Sequence, residues 1–117
     1  MAQAVYLAAQ QASVPLTREQ ADAIGRFHAL LREANARFNL TRVPDDVAEA
    51  CDRNYIDSLA AFPYLAGART AADVGSGAGF PGIPLAVACP GVSVTLIEAQ
   101  GKRASFLEEA LQRANYR

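Results

Sequence analysis

Apolar residues recur at Ala21, Ile24, Phe27, Leu30, Leu31, Ala34 and Phe38, while Arg26, Arg32, Glu33 and Arg37 fall on the opposite face. That three-and-four rhythm predicts an amphipathic helix. Thr17 and Gln20 have the spacing of a capping box, which places the helix start just after Pro15-Leu16. Gly25 weakens it only modestly. An Ala/Gln-rich opening, Met1 to Ala12, precedes this helix. After it, Pro44-Asp45-Asp46 reads as a turn and N-cap signal, and a second helical pattern runs from Val47 to Leu59, broken before Pro63. Residues 1–66 are therefore expected to form a helical N-terminal cap.

The pattern changes at Gly67. Arg69 to Val74 is a short β-like run that ends in Gly75-Ser76-Gly77-Ala78-Gly79-Phe80-Pro81-Gly82. Half of the chain's 8 glycines lie in those eight positions, which marks a turn rather than the inside of a helix or strand. Pro81 and Pro84 both fit a helix's first turn, where amide protons have no partner, so a helix is predicted from about Pro81 to Ala88. Cys89-Pro90-Gly91 closes it. Val92 to Ile97 is continuous and β-branched, as expected of a strand covered on both faces, and it ends in Glu98. Gly101 to Arg117 again has a helical pattern. The predicted fold class is α/β: the helical cap, then, over residues 67–117, the first βαβα of a Rossmann-like parallel sheet.

Composition narrows the function classes. A chain of 117 residues with 51% hydrophobic and 20% charged residues is too apolar to be disordered. Its net charge of −1 provides no whole-molecule attraction for nucleic acid or an anionic membrane, so any RNA contact must be local. No apolar run approaches the roughly 18 residues of a spanning helix, and the N-terminus lacks the order of a signal peptide; a cytoplasmic protein without a membrane partner is expected. Cys51 and Cys89 lie far apart with no second cysteine or histidine nearby, so neither a disulfide nor a metal site is expected, and both read as small buried side chains. The single histidine, His28, sits in the amphipathic helix beside Phe27 and Leu31 and is assigned no catalytic role.

The candidate chemistry lies in the glycine turn. Glycines at 75, 77 and 79 permit positive φ and let a ligand approach the backbone without Cβ atoms in the way. The helix that follows offers unpaired N–H groups and the positive end of its dipole. Glu98, at the carboxyl end of the next strand, is placed to accept hydrogen bonds from both hydroxyls of a ribose. Two cofactor classes compete for such a site. Gly77-x-Gly79-x-x-Gly82 matches the dinucleotide fingerprint, which would make the chain part of an NAD-type oxidoreductase. However, Asp73, two residues before the first glycine, would repel a pyrophosphate, and it suits the ammonium and sulfonium of S-adenosylmethionine. The dinucleotide register also gives Gly75 and Ser76 strand roles they fill badly. S-adenosylmethionine is the favoured cofactor. A non-catalytic fragment is the rival from outside enzymes.

Four segments then carry a family resemblance. Asn35-Ala36-Arg37-Phe38-Asn39-Leu40-Thr41, Arg53-x-x-x-Asp57-Ser58-Leu59, Asp73 through Pro84, and Gly101-Lys102-Arg103 together resemble the bacterial 16S ribosomal RNA guanine-N7 methyltransferases, also called RsmG or glucose-inhibited division protein B. The resemblance runs in order over nearly the whole chain, and the Gly-Phe-Pro-Gly-Ile-Pro continuation of the turn, together with Asn39-Leu40-Thr41 and Asp57-Ser58 upstream, makes it specific. It implies methyl transfer from S-adenosylmethionine to guanine N7 in 16S rRNA of the small subunit. It also implies that Gly75 and Phe80 line the cofactor, that Gly77 and Gly79 form the turn, and that Glu98 meets the ribose. With Asp73 and Ser76 these make up the expected cofactor-binding set. The chain departs from the family at Ala34, where Trp is usual, and at Asn54, where His is usual.

No catalytic side chain is expected, because guanine N7 carries a free lone pair and no proton, so attack on a sulfonium methyl needs no general base. Lys102 and Arg103 are the candidate contacts to substrate RNA, in a C-terminal stretch where Arg113 and Arg117 add to them against Glu108 and Glu109. An ordinary solvated helix face is the alternative reading there. Asn39, Thr41 and Ser58 read as helix-end caps, Thr41 above all, and Asp57 stays open. Two parallel strands of about six residues each make a short sheet, so part of the apolar content is expected to face elements outside this chain. Weak or no cofactor binding is expected of the chain by itself, and its exposed sheet edge offers a route to self-association.

Overall fold

A computed structural model describes residues 1–38 and 41–113, with the side chains of Phe38, Gln112 and Arg113 outside that description. Asn39, Leu40 and Arg117 of the sequence reading therefore lie outside the described residues, as does the side chain of Arg113. The first helix, α1 (Ala2–Gln11), is followed by α2 (Arg18–Phe38). The capping box forms as its spacing predicts: the Thr17 amide donates to Gln20 Oε1 at 2.9 Å, and the Gln20 amide donates to Thr17 Oγ1 at 3.1 Å. α1 lies directly on α2 at Gly25, where an added Cβ would stand 3.2 Å from Ala2 Cβ, so the glycine serves close helix packing.

The second helical pattern is a composite. It begins as α3 (Val47–Ala50), capped by Asp46, whose Oδ1 accepts from the Ala48 amide at 3.4 Å. It then widens into a π-helical stretch, Cys51–Ile56, and ends as α4 (Asp57–Leu59). Periodicity shows no such widening, because a stretch of 6 residues is too short for its altered repeat to stand apart from the α-helical pattern. Ser58 sits where the widened stretch ends, and its hydroxyl donates back to the Asn54 carbonyl instead of capping a helix end. A short 3₁₀ turn, Phe62–Leu65, leads out of the helical segment.

β1 (Thr70–Val74) and β2 (Ser93–Ile97) pair in parallel, with Thr70 opposite Ser93 and Val74 opposite Ile97. α5 (Gly82–Ala88) joins them and α6 (Gly101–Arg113) follows β2. The α/β class and the βαβα order are as read from the sequence, with α5 starting one residue later than expected. One hydrophobic cluster runs through both parts of the chain, joining Val5, Ile24, Phe27, Leu31, Tyr55 and Leu59 to Ile83, Val87, Phe106 and Leu107.

Two sequence expectations change here. Both strands alternate between exposed and half-buried positions, so β2 is covered on one face and not on both. Helices α5 and α6 follow their strands onto the same side, and among the described residues no layer covers the other face. Val74 is therefore 78% exposed and its partner Ile97 48% exposed. Cys51 is buried as expected, whereas Cys89, at the end of α5, is only half-buried.

Candidate cofactor site

The site begins where β1 stops. Gly75, Gly77 and Gly79 all take positive φ, at 75°, 60° and 107°, so the chain reverses within a few residues. The turn is tied to the end of β2 through backbone bonds, since the amides of Gly75 and Ser76 both donate to the Ile97 carbonyl at 2.8 and 3.0 Å. Ser76, 2% exposed, completes the knot: its hydroxyl donates to the Asp73 carbonyl at 2.9 Å and accepts from the Ile97 amide at 3.1 Å. Its side chain is thus engaged within the fold rather than turned toward a ligand. The Gly79 and Phe80 amides return to the Ser76 carbonyl, and the Ile83 amide donates to the Gly79 carbonyl, which leads the turn into α5.

The glycines divide by what surrounds them. A Cβ on Gly75 or Gly77 would meet nothing within 4 Å, so that side of the turn is open backbone. On Gly79 it would stand 2.7 Å from Ile83 Cδ1, and on Gly82 it would press into the Leu96 side chain and lie 2.7 Å from Asp73 Oδ2. Gly79 and Gly82 therefore permit close packing of α5 against α6 and β2, while Gly75 and Gly77 form a cradle.

The two acids flank this cradle. Asp73 Oδ2 accepts the Gly82 amide at 3.0 Å, so the carboxylate satisfies the first turn of α5. Glu98 Oε1 accepts the Gly77 amide at 2.7 Å and Oε2 accepts the Gln100 amide at 2.9 Å. Those bonds to Gln100 and Gly77, helped by the charge of Arg103, hold the Glu98 carboxyl below the ordinary value for a glutamate. The structure brings Asp73, Glu98 and the open glycines into one place, as the motif spacing anticipates. Beside them, under the free edge of β2, a cavity of about 400 Å³ lies between α5 and α6, lined by apolar residues such as Ile83, Val94, Leu96 and Leu107, with Glu98 at its rim.

Phe80 points the other way. Its ring packs edge-on against Phe27 of α2, with centroids 5.8 Å apart, and against Tyr55 of the π-helical stretch at 5.4 Å. Lys102 is exposed on the first turn of α6, whereas Arg103 is half-buried and bears on Glu98. The cap expected of Thr41 is supplied from the other partner, because the Thr41 backbone amide donates to Asn35 Oδ1 at 2.9 Å. Asp57 is exposed within the helical run. Asn54, at one of the two departures from the family, has its side-chain oxygen buried with no hydrogen-bond partner among the described residues.

His28 and Tyr55 are the pair that motif reading passes over. Both are buried, and Tyr55 Oη lies 2.7 Å from His28 Nδ1. Burial, with the charges of Arg32 and the N-terminal ammonium, lowers the His28 pKa to about 4, and burial keeps the Tyr55 phenol protonated far above its ordinary range. The imidazole is therefore neutral, and the tautomer it adopts sets which of the two donates in the hydrogen bond. The signal in the sequence is weak: His28 follows Phe27 on the apolar stripe, and Tyr55 is one aromatic in a helical pattern.

Comparison with known proteins gives this geometry a family. The chain is 46% identical over 101 residues to a ribosomal RNA small subunit methyltransferase G of Stenotrophomonas maltophilia, covering 86% of the chain and 47% of the relative. It is 49% identical over 87 residues to the protein of that name from Xanthomonas euvesicatoria, covering 74% of the chain and 40% of the relative. With Xanthomonas oryzae the identity is 47% over 92 residues, or 79% and 42% of the two chains. The chain thus spans less than half the length of these relatives. The family model described as GidB, rRNA small subunit methyltransferase G, matches residues 20–117, which include the glycine turn, both acids and the aromatic residues behind them. The chain belongs to the GidB family of rRNA small subunit methyltransferases.

Proposed function

We propose that residues 67–117 supply the first part of an S-adenosylmethionine site, covered by the helical segment 1–66, in an enzyme that methylates guanine N7 of 16S rRNA. One observation carries the choice of cofactor: Asp73 occupies the N-terminus of α5 through the Gly82 amide. A dinucleotide's pyrophosphate needs that same helix end, and a carboxylate there repels it. The ammonium and sulfonium of S-adenosylmethionine are instead attracted by that charge. The open backbone at Gly75 and Gly77 accommodates the cofactor's amino-acid portion, and Glu98 offers its carboxylate to the ribose. A cytoplasmic location and small-subunit rRNA as partner belong to this same reading.

When bound, the cofactor supplies a methyl group on a positively charged sulfur. This chain's residues have to hold it and orient it, because guanine N7 is an unprotonated nucleophile for which positioning and electrostatics suffice. Lys102, exposed on the first turn of α6, offers its ammonium to an RNA phosphate. Arg103 bears on Glu98 and therefore acts on the cofactor side of the same helix.

The test is a comparison of S-adenosylhomocysteine with NAD by amide chemical-shift titration of the chain, which reads weak binding. Shifts at Gly75, Gly77 and Glu98 are expected with S-adenosylhomocysteine, at an affinity at least about tenfold tighter than for NAD. Equal affinity, a preference for NAD, or silence from both ligands at those amides would overturn the reading.

A further inference from the structure

Between Gly75 and Phe80 the turn is Gly, Ser, Gly, Ala, Gly, Phe, so Phe80 is its single large side chain. A loop with three positive-φ glycines has little stiffness of its own, and its geometry must be imposed by what grips it. The grip on Phe80 comes from outside the motif. Phe27 and Tyr55 contact its ring edge-on at interplanar angles of 71° and 67°. Phe27 continues to Phe106 of α6, with centroids 6.0 Å apart, and Tyr55 continues to His28 at 5.5 Å. Edge-to-face contacts are directional, so rotation of one ring is felt by the next.

Tyr55 is 0% exposed, yet its ring has one polar end, and that end is fixed by the 2.7 Å bond to His28 Nδ1. The bond spans 27 residues and joins α2 to the π-helical stretch. Without it the buried hydroxyl and imidazole would each lack a partner here, and the ring would be free to settle elsewhere.

We propose that Tyr55, held by His28, is a positioning residue for the glycine turn, acting through the Phe80 ring. Neither residue touches the cradle. Together they steady the Phe80 end of a turn whose other end is tied to Ile97 and Glu98, so a hydrogen bond in the helical segment contributes to how well the cofactor site is formed. This rests on the proposed cofactor reading for its consequence, but not for the contact itself.

The experiment separates the two. Amide hydrogen exchange is followed residue by residue in the chain and in Tyr55→Phe, which keeps the ring and loses the hydroxyl. His28→Ala removes the partner, and His28→Asn returns a side-chain amide able to accept or donate near the Nδ1 position. In Tyr55→Phe and His28→Ala, exchange at Gly77, Gly79 and Phe80 is expected to rise about tenfold while amides in the middle of α1 change little, and His28→Asn is expected to restore slow exchange. Unchanged turn amides would overturn the proposal. So would an equal rise throughout the chain, which is the mark of a merely structural role. S-adenosylhomocysteine titration of the same samples is expected to show a Kd weakened about three- to tenfold in Tyr55→Phe. If the unsubstituted chain shows no ligand shifts, the cofactor reading fails while the exchange result still decides the positioning role.

Discussion

Asp73 Oδ2 and the Gly82 amide are 3.0 Å apart, which links the end of β1 to the first residue of α5 across the whole glycine turn. One carboxylate thereby serves two ends, satisfying a helix terminus and placing negative charge beside the open cradle. The two roles can be separated by substitution. Asp73→Asn keeps an acceptor oxygen for Gly82, so stability should change by less than about 0.5 kcal/mol, whereas Asp73→Ala should cost about 1–2 kcal/mol, the range of lost helix caps. Both should lose affinity for S-adenosylmethionine by tenfold or more, since both remove the charge. Denaturant unfolding beside ligand titration checks this, and full affinity in Asp73→Asn would count against an electrostatic role.

The glycines should not respond alike. Gly77→Ala meets open space and bears only the left-handed backbone, at about 1–2 kcal/mol. Gly79→Ala must adopt φ near 107° and also displace Ile83 and Leu107, so its cost should exceed that of Gly77→Ala by about 1 kcal/mol or more. Equal unfolding midpoints for the two variants would contradict the division into cradle and packing glycines.

His28 sets an acid limit on the fold. Its pKa is about 4 in the folded chain and near the ordinary 6.5 when unfolded, so between those values the unfolded chain binds the extra proton. Stability from this group is complete above pH 6.5, falls as pH drops toward 4, and is level below that. Arg32 and the N-terminal ammonium deepen the effect, because each repels the imidazolium. The loss over this window should be on the order of 2–3 kcal/mol. Thermal unfolding of the chain beside His28→Asn measures it, and identical pH profiles would dismiss the assignment.

Glu98 works in the opposite sense. Its folded pKa lies below the ordinary value, so its contribution is present at neutral pH and disappears as pH falls through the lowered folded value. A carboxyl titration by NMR should give a midpoint below 4.5 for Glu98, and Glu98→Gln should speed exchange at the Gly77 amide. A midpoint at or above 4.5 would mean that the bonds to Gln100 and Gly77 do not persist in solution.

Much of this architecture follows from local rules visible in the chain. The Thr17/Gln20 capping box, the Asp46 cap, the positive φ of the turn glycines and the order β1, α5, β2, α6 depend on residues a few positions apart. So does the cradle, since Asp73 at the end of β1 and the glycines at 75 and 77 lie only a few residues apart. Glu98 was legible too, because a strand's length fixes where its carboxyl end falls. What tertiary structure alone decided is which polar groups meet across distance. Spacing shows neither that Asp73 takes the Gly82 amide, nor that Ser76 is consumed in tying two strand ends together, nor that Phe80 turns away from the cradle toward Phe27 and Tyr55. It likewise hides the widening at Cys51–Ile56 and the His28–Tyr55 bond. The physical reason is the same in each case: periodicity records which face of an element is apolar, whereas hydrogen bonds and ring contacts depend on the angle at which separate elements pack, and packing of the whole core sets that angle.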